Sequence, residues 1–305
     1  MAQADVVFIM GPTASGKTDL AMQLYDQMPC ELISVDSALV YRHMDIGTAK
    51  PTQEEQNKYP HHLINICDPD EPYSASKFRD DALPLIETAL SEQRIPVLVG
   101  GTMLYFKTLM QGIADLPSGD DTLRAAISAE ADAKGWPALH QELATYDPVA
   151  AARIKPGDSQ RIQRAVEVYR LTGKTLTQYH EEQKEQSLPH KVLNVAIAPG
   201  DRNILRQRIR QRFMMMLQQG LFEEVQTLIE DKGYDPDLPA LRSVGYRQVI
   251  EHLNGDYDYD TMIEKAVTAT ARLAKRQLTW LRSWPDIHWF ESGSDSNLER
   301  VSGLL

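Results

Sequence analysis

Residues 6–18 read Val-Val-Phe-Ile-Met-Gly-Pro-Thr-Ala-Ser-Gly-Lys-Thr, and this stretch decides the fold. The apolar run at 6–10 predicts a short buried strand, and a Gly-x-x-x-x-Gly-Lys-Thr loop follows it at 11–18. Apolar residues then recur at helical spacing, which predicts a helix over 17–27. Because strand, glycine-rich loop and helix occur in this order, we predict that the loop binds a ligand with at least two phosphates.

Each part of this loop has a physical role in holding phosphate. Gly11 and Gly16 allow the backbone to curl so that its N–H groups point inward, towards the start of the helix and its positive dipole end. Lys17 supplies a point charge, and the Thr18 hydroxyl suits the shell of a Mg²⁺ ion. The predicted phosphate-binding residues are Gly11, Pro12, Thr13, Ala14, Ser15, Gly16, Lys17 and Thr18.

Composition indicates an ordinary globular protein without a membrane span. The chain has 305 residues, of which 42% are hydrophobic and 25% charged, and it contains no apolar run of about 18 residues. The beginning of the sequence has no signal-like segment, and Cys30 and Cys67 have no metal-ligand spacing. We therefore expect a cytoplasmic protein with no membrane partner.

The net charge of −11 is unevenly distributed. Residues 1–150 hold 22 acidic and 10 basic side chains, whereas residues 151–305 hold 21 acidic and 22 basic ones. Local basic faces, and not the overall isoelectric point, decide whether a chain attracts a phosphate backbone. The overall acidity therefore leaves a nucleic-acid partner open.

Alternating elements in the first 110 residues predict a parallel α/β sheet. Further strands are predicted at 32–35, 62–66 and 95–99, and further helices at 74–91 and 103–111. From 116 to 190 the strand signals disappear, and five helices are predicted, at 123–134, 136–146, 149–154, 159–172 and 176–186. This pattern predicts a P-loop-type catalytic core at 1–115 and 191–305, flanked by helices, with an all-helical insertion domain at 116–190.

The second part of the core is predicted to return to the sheet with a strand at 192–198. A long helix at 201–232 follows, with the apolar stripe Ile204, Leu205, Ile209, Phe213, Met216 and Leu217. A helix at 261–284 and a strand at 287–290 complete the core, and the sequence gives no clear signal over 291–305.

Several side chains follow strand ends and should meet at one edge of the sheet. Asp36 follows the second strand, where a carboxylate can bind Mg²⁺, act as a general base or simply cap a turn. Gly100-Gly101-Thr102 ends the next strand, which fits either close backbone approach or a plain turn with a helix cap. Arg212, beside the apolar Phe213, is the arginine best placed to reach inward to a phosphate.

Basic residues and aromatic residues are interleaved in the second half of the chain. Arg202, Arg206 and Arg210 recur every four residues, an array that more often forms a solvated helix face. The aromatic residues among the basic clusters are Tyr169, Tyr246, Trp280 and Trp284. Such a mixture suits a folded single-stranded nucleic acid with splayed bases, and it also suits core aromatics beside salt-bridged faces.

Motifs that accompany this loop in other classes of P-loop protein are missing from the sequence. The sequence has no Asn-Lys-x-Asp motif for guanine and no apolar run that ends in Asp-Glu, which argues against a GTPase or a motor. A nucleotide kinase stays open on these residues, as does a non-catalytic RNA-binding module that uses the loop as a ligand-gated brace.

The whole set of motifs resembles the tRNA dimethylallyltransferases, the bacterial-type tRNA isopentenyltransferases. The matching segments span about 10–290 and are 11–18, Ile-Ser-Val-Asp-Ser-Ala-Leu-Val-Tyr at 33–41, Met-Asp-Ile-Gly-Thr-Ala-Lys-Pro at 44–51, 96–105, 159–169, 243–248 and 274–282. The 33–51 region is far more specific than the loop.

The resemblance implies transfer of a dimethylallyl group from its diphosphate to N6 of the adenosine just 3′ of the tRNA anticodon, with Mg²⁺ as cofactor. The loop would then hold a diphosphate leaving group, and the chain would act as a monomer. The resemblance assigns catalytic roles to Asp36, Thr102, Lys17 and Arg212, with Asp36 as the general base.

The resemblance also implies that the insertion at 116–190 clasps the anticodon stem-loop. The tRNA-binding residues that it implies are Asp36, Ser37, Ala38, Leu39, Thr102, Arg124, Gln160, Arg161, Ile162, Gln163, Arg164, Arg242, Ser243, Val244, Gly245, Tyr246, Arg247, Arg272, Lys275 and Arg276.

Overall fold

The computed structural model describes residues 4–114, 116–182 and 187–305, and within them six strands form one parallel sheet. In chain order these are β1 (Val6–Met10), β2 (Cys30–Val35), β3 (His61–His62), β4 (Ile95–Gly100), β5 (Val192–Ala198) and β6 (Ile287–Glu291). Their order across the sheet is β3-β2-β4-β1-β5-β6, which places β1 between β4 and β5. The predicted α/β parallel sheet is confirmed.

Helices account for most of the remaining chain. Those before β5 are α1 (Lys17–Gln27), α2 (Gln53–Lys58), α3 (Ala75–Ser91), α4 (Met103–Gln111), α5 (Asp121–Lys134), α6 (Trp136–Tyr146), α7 (Pro148–Arg153), α8 (Ser159–Thr172) and α9 (Leu176–Glu182). Those after β5 are α10 (Arg202–Gln218), α11 (Leu221–Gln226) with a π-helical turn at Thr227–Asp231, α12 (Tyr246–Leu253), α13 (Tyr259–Arg282) and α14 (Asn297–Ser302). Among the described residues, no helix combines the length and the apolar character that crossing a bilayer requires.

The chain divides into two compact units. The core unit comprises Met1–Met110 and Pro189–Leu305 and holds the sheet, and the helical unit comprises Gln111–Leu188. All five residues of β1 are buried, as expected for a central strand with helices on both faces of the sheet. The boundaries that the sequence predicted lay at 115/116 and 190/191.

The helical unit has its own hydrophobic core and a buried carboxylate that two arginines contact. Ile127, Leu139 and Ile162 belong to its fully buried cluster. The carboxylate of the buried Glu167 lies 2.8 Å from Nε of Arg124 and 2.6 Å from Nη1 of Arg164. Two cations therefore compensate one buried anion, an arrangement that is strongly destabilised when one partner is removed.

One predicted strand and one predicted helix are shorter in the structure than the sequence indicated. The strand predicted at 62–66 ends at His62, because Leu63 and Asn65 adopt left-handed backbone angles that leave the extended conformation. The helix predicted at 201–232 breaks at Gly220, whose φ of 100° is incompatible with a continuous right-handed helix. The end of the helix predicted at 176–186, residues 183–186, lies outside the described residues.

The apolar stripe of α10 is narrower than predicted. Leu205, Ile209 and Phe213 are buried, whereas Ile204 is exposed. Met216 and Leu217 are half-buried. Three short helices, α2, α12 and α14, were not predicted, although α2 begins with a complete capping box between Thr52 and Glu55.

A carboxylate from α11 holds the loop between β2 and α2, residues 36–52, which we call the β2–α2 loop. Oε2 of Glu224 accepts hydrogen bonds from the backbone N–H groups of Asp45 (2.9 Å) and Ile46 (2.7 Å). Its Oε1 accepts from the N–H of Gly47 (3.0 Å) and from the hydroxyl of Tyr246 (2.5 Å). A Cβ on Gly47 would lie 2.5 Å from the Tyr246 ring, so this position requires glycine.

The same loop encloses a buried lysine. Nζ of Lys50 donates to the carbonyl of Tyr41, to Oδ1 of Asp45 and to Oδ1 of Asn65, each at 2.6 Å. Burial lowers the pKa of Lys50, while the hydrogen bond to Asp45 acts in the opposite direction. Three acceptors thus compensate the desolvation of one ammonium group and fix the path of the loop.

We predict that Glu224→Ala lowers the free energy of unfolding by about 2–4 kcal/mol and Tyr246→Phe by about 1–2 kcal/mol, because both remove hydrogen bonds to a charged group. Urea denaturation followed by circular dichroism measures both effects. Glu223→Ala removes an exposed carboxylate from the same helix and should change stability by less than about 0.5 kcal/mol. Equal stability of Glu224→Ala and Glu223→Ala would contradict this role.

Candidate active site

The phosphate-binding loop joins the central strand β1 to α1 at the carboxyl edge of the sheet. Ala14 and Gly16 adopt positive φ values of 62° and 80°, which turn the backbone into the curl that the motif predicts. A Cβ on Gly11 would lie 2.5 Å from the carbonyl oxygen of Ile197 on β5, so the neighbouring strand requires glycine there. The loop is therefore shaped by the sheet as well as by its own sequence.

Lys17, Arg212 and Asp36 form one electrostatic group beside this loop. Burial lowers the pKa of Lys17 to about 8; the nearby Asp36 carboxylate raises it, and the Arg212 guanidinium lowers it further. Burial also lowers the pKa of Arg212, against the effects of Asp36 and Asp19. Two partly buried cations thus lie close together, with Asp36 as a nearby anion.

Asp36 and Thr102 belong to a hydrogen-bonded turn at the ends of β2 and β4. Oδ1 of Asp36 accepts from the N–H of Ala38 (2.9 Å). Oγ1 of Thr102 accepts from the N–H of Ser37 (3.0 Å), and its hydroxyl donates to Oγ of Ser37 (3.3 Å). A carboxylate has about four lone-pair positions, so the bond from Ala38 fixes Asp36 and leaves it able to accept a proton.

Glycine at the end of β4 permits this close packing. A Cβ on Gly100 would lie 2.0 Å from the carbonyl oxygen of Val35, which is backbone and cannot move aside. Close backbone approach at Gly100 is therefore confirmed. Thr102 also stands at the start of α4, as the alternative predicted, because its carbonyl accepts from the N–H groups of Tyr105 (2.9 Å) and Phe106 (3.4 Å).

Two supporting side chains come from the end of the chain, and neither was among the predicted site residues. Gln277 of α13 accepts from the N–H of Thr13 (3.1 Å) and donates to the carbonyl of Gly101 (2.9 Å), which links the phosphate loop to β4. The hydroxyl of Ser292 donates to the carbonyl of Ser15 (2.6 Å). Gln277 lies within the 274–282 motif, so the motif resemblance could have indicated it. Ser292 lies in the segment 291–305, for which no clear prediction followed from the sequence.

Two cavities meet at the phosphate loop. The first, of about 1170 Å³, lies between the loop, α10 and residues 292–298. The second, of about 540 Å³, contains Asp36 and Thr102 in its wall. Residues that line both cavities are Lys17, Thr18, Ala49, Pro51, Arg212 and Met216. The cations therefore lie at the junction, and the β2–α2 loop forms part of both walls.

The donor set around the loop is compatible with Mg²⁺ held mainly by a ligand. Thr18 offers a hydroxyl and Asp36 a carboxylate to the second cavity. In residues 4–114, 116–182 and 187–305, no three His, Cys, Asp or Glu side chains come together as a metal site. Mg²⁺ typically keeps several waters and binds through substrate phosphates plus one or two protein oxygens, which this site can supply.

The structure separates the predicted RNA contacts of the core unit into three groups: residues of the cavity wall, exposed residues outside it, and the buried Tyr246. Residues in the wall of the second cavity are Asp36, Ser37, Ala38, Leu39, Thr102, Arg242, Ser243, Val244, Gly245 and Arg276. Arg247, Arg272 and Lys275 are exposed. The side chain of Tyr246 is fully buried and bonded to Glu224. This side chain supports the β2–α2 loop, so a contact of Tyr246 with RNA would involve its backbone and stays a prediction.

The predicted RNA contacts of the helical unit also divide by burial. Gln160 and Arg161 are exposed, while Arg124 and Arg164 contact Glu167. Nε2 of Gln163 donates to the carbonyl of Arg124 (3.1 Å) and to Oγ of Ser128 (3.0 Å). Ile162 is fully buried in the hydrophobic core. Its side chain packs the helix that carries its neighbours, so a contact of Ile162 with RNA would involve its backbone and stays a prediction.

Comparison with known families and structures identifies the family of the chain. The family model described as IPP transferase matches residues 39–284, and the model described as isopentenyl transferase matches residues 4–67. The full-length tRNA isopentenylpyrophosphate transferase of Bacillus halodurans is 34% identical, with a TM-score of 0.72 over 99% of this chain and 95% of that one.

Two further solved structures are similar to this chain. The tRNA delta(2)-isopentenylpyrophosphate transferase of Staphylococcus epidermidis is 32% identical, with a TM-score of 0.70 over 98% of this chain and 97% of that one. A eukaryotic dimethylallyltransferase that acts on tRNA is 27% identical, with a TM-score of 0.81 over 97% of this chain and 77% of that one. The chain belongs to the IPP transferase family and is a tRNA prenyltransferase.

Proposed function

We propose that this protein transfers the dimethylallyl group of dimethylallyl diphosphate to N6 of the adenosine immediately 3′ of the anticodon in tRNA. The observation that carries the proposal is the position of two cations, Lys17 and Arg212, where the two cavities meet, with the carboxylate of Asp36 near them in the wall of the second cavity. Two cations suit a diphosphate leaving group, and one carboxylate suits the removal of a single proton.

In the proposed reaction, the bond between the allylic carbon and the diphosphate oxygen breaks while a bond from adenine N6 forms. Negative charge develops on the leaving diphosphate, where the loop N–H groups, Lys17 and Arg212 stabilise it. Gln277 and Ser292 hold the backbone of the loop at Thr13 and Ser15, so the loop has its shape before the diphosphate binds.

Asp36 accepts the proton that N6 loses as the new bond forms. The neutral amine of adenine is a weak nucleophile, so a base at the point of attack lowers the barrier. The target base has to leave its stack to reach Asp36, as in other enzymes that modify bases. Thr102 positions Asp36 through Ser37.

Mg²⁺ is part of the proposal as a cofactor held by Thr18 and the diphosphate. When bound, it would neutralise part of the charge on the leaving group. The helical unit is proposed to contact the anticodon stem-loop through its exposed Gln160 and Arg161, and the protein is proposed to act as a monomer.

The direct test incubates the protein with labelled dimethylallyl diphosphate, Mg²⁺ and an anticodon stem-loop that carries an unmodified adenosine 3′ of the anticodon. Labelled N6-prenyladenosine in the digested RNA supports the proposal. A stem-loop with guanosine at the target position is the matched control. No incorporation by the folded protein would overturn the proposal and direct attention to ATP turnover.

We predict that Asp36→Asn lowers the single-turnover rate by about 10²- to 10⁴-fold, the usual contribution of a general base. The affinity for the stem-loop should change only a few-fold, since the substitution preserves shape. Glu54→Gln, which removes an exposed carboxylate on α2, is the control. A rate for Asp36→Asn equal to that of the control would remove Asp36 from the mechanism.

A pH effect on diphosphate binding follows from Lys17. Because the pKa of Lys17 is about 8 in the free protein, inorganic diphosphate should bind more weakly as the pH rises through 8. At pH 8 about half of the Lys17 side chains are unprotonated, so binding should take up about half a proton per site. Calorimetry in buffers of different ionisation enthalpy measures this uptake. Lys17→Met, which cannot titrate, corrects for protons that the diphosphate itself exchanges on binding. An uptake that persists unchanged in Lys17→Met would contradict the assignment.

Lys17 should also make the stability of the folded protein depend on pH, in the direction opposite to its effect on diphosphate binding. An unfolded lysine titrates near the ordinary value of 10.5, so between pH 8 and 10.5 the unfolded chain binds more protons at Lys17 than the folded protein does. The contribution of Lys17 to the free energy of unfolding therefore rises with pH across that window.

A further inference from the structure

Burial distinguishes the four aromatic residues that lie among the basic clusters. Tyr246 is fully buried and bonded to Glu224. Trp284 is buried and donates from Nε1 to Oδ1 of Asn194 (3.1 Å). The ring of Tyr169 stacks on Tyr146 with a centroid distance of 3.8 Å. These three side chains are occupied in the interior or against another ring.

Trp280 differs from the other three in both exposure and position. It is 36% exposed and lies in the wall of the second cavity, the one that contains Asp36 and Thr102. Leu104 of α4, which is 53% exposed, lines the same cavity. An exposed indole and an exposed leucine thus add apolar surface to the wall of a polar site, and apolar surface favours a flat, weakly polar ligand group.

Charge near this surface favours a nucleotide as that ligand. Nζ of Lys107 lies over the Trp280 ring, 5.6 Å from its centroid, which is within the range of a cation–π contact. Arg276, one helical turn before Trp280 on α13, also lines the cavity. A base stacked on the indole would thus carry its phosphate into a region with two cations.

From these observations we propose that Trp280, with Leu104, forms a stacking site for a base that neighbours the target adenosine in the RNA. The proposal rests on the proposed function, because it takes RNA to be the substrate. Trp280 shares its cavity with Asp36, so a base held there belongs to a nucleotide near the one that reacts. Aromatic stacking accepts any base, so this site contributes affinity and position and not base identity.

The first measurement is the dissociation constant for the anticodon stem-loop, obtained by fluorescence anisotropy. Trp280→Ala should weaken binding by about five- to a hundredfold, the usual effect of removing one stacking side chain, and Trp280→Phe should restore most of the affinity. Trp289→Ala is the matched control, because Trp289 is 42% exposed on β6 and lies in the wall of neither cavity. Unchanged affinity for inorganic diphosphate shows that Trp280→Ala is folded.

The second measurement identifies the base. Stem-loops with an abasic nucleotide on either side of the target are bound to the wild-type protein and to Trp280→Ala. If stacking occurs, one abasic RNA binds the wild type more weakly, and Trp280→Ala adds no further loss with that RNA.

Two results would overturn the stacking site while leaving the proposed function intact. One is a Trp280→Ala variant that binds the stem-loop as tightly as Trp289→Ala does. The other is a loss caused by Trp280→Ala that is the same for intact and abasic RNAs. An absence of prenyl transfer by the wild-type protein would instead overturn the proposed function and the stacking site together.

Discussion

The site depends on two cations, Lys17 and Arg212, held close together in a partly buried position before any ligand binds. Burial lowers the pKa of each, and the carboxylate of Asp36 raises the pKa of both. The free protein therefore bears an electrostatic cost, which the diphosphate of the proposed reaction would relieve. Charge that is fixed in advance stabilises a leaving anion better than charge that has to be brought in during the reaction.

Keeping these groups in place requires contacts from distant parts of the chain. Gln277 links the phosphate loop to the end of β4, and Ser292 holds the carbonyl of Ser15. Glu224 holds the β2–α2 loop, which contributes to the walls of both cavities. Segments on both sides of the helical unit in the sequence therefore build one site, which explains why recognisable motifs extend over nearly the whole chain.

The sequence predicted the sheet and the phosphate loop because both depend on local signals. An apolar run specifies β1, and glycine spacing specifies the loop. The contact of Glu224 with Gly47 joins residues 177 positions apart, and that of Gln277 with Thr13 joins residues 264 apart. No periodic pattern encodes such pairs. Motif resemblance also assigns whole segments to RNA, so it could not separate the buried Ile162 and Tyr246 from their exposed neighbours.

Burial and pairing also explain how an acidic chain can serve an RNA substrate. In the helical unit, Arg170 contacts Glu130 and Glu142, and Arg124 contacts Glu167, so these arginines balance acidic groups of the same unit. Arg276, by contrast, lines the second cavity beside Trp280. Attraction of a phosphate backbone depends on the potential at the surface that it approaches, and that potential falls off within about 10 Å at ordinary salt. A basic cavity wall can therefore act on RNA even though the chain carries a net charge of −11.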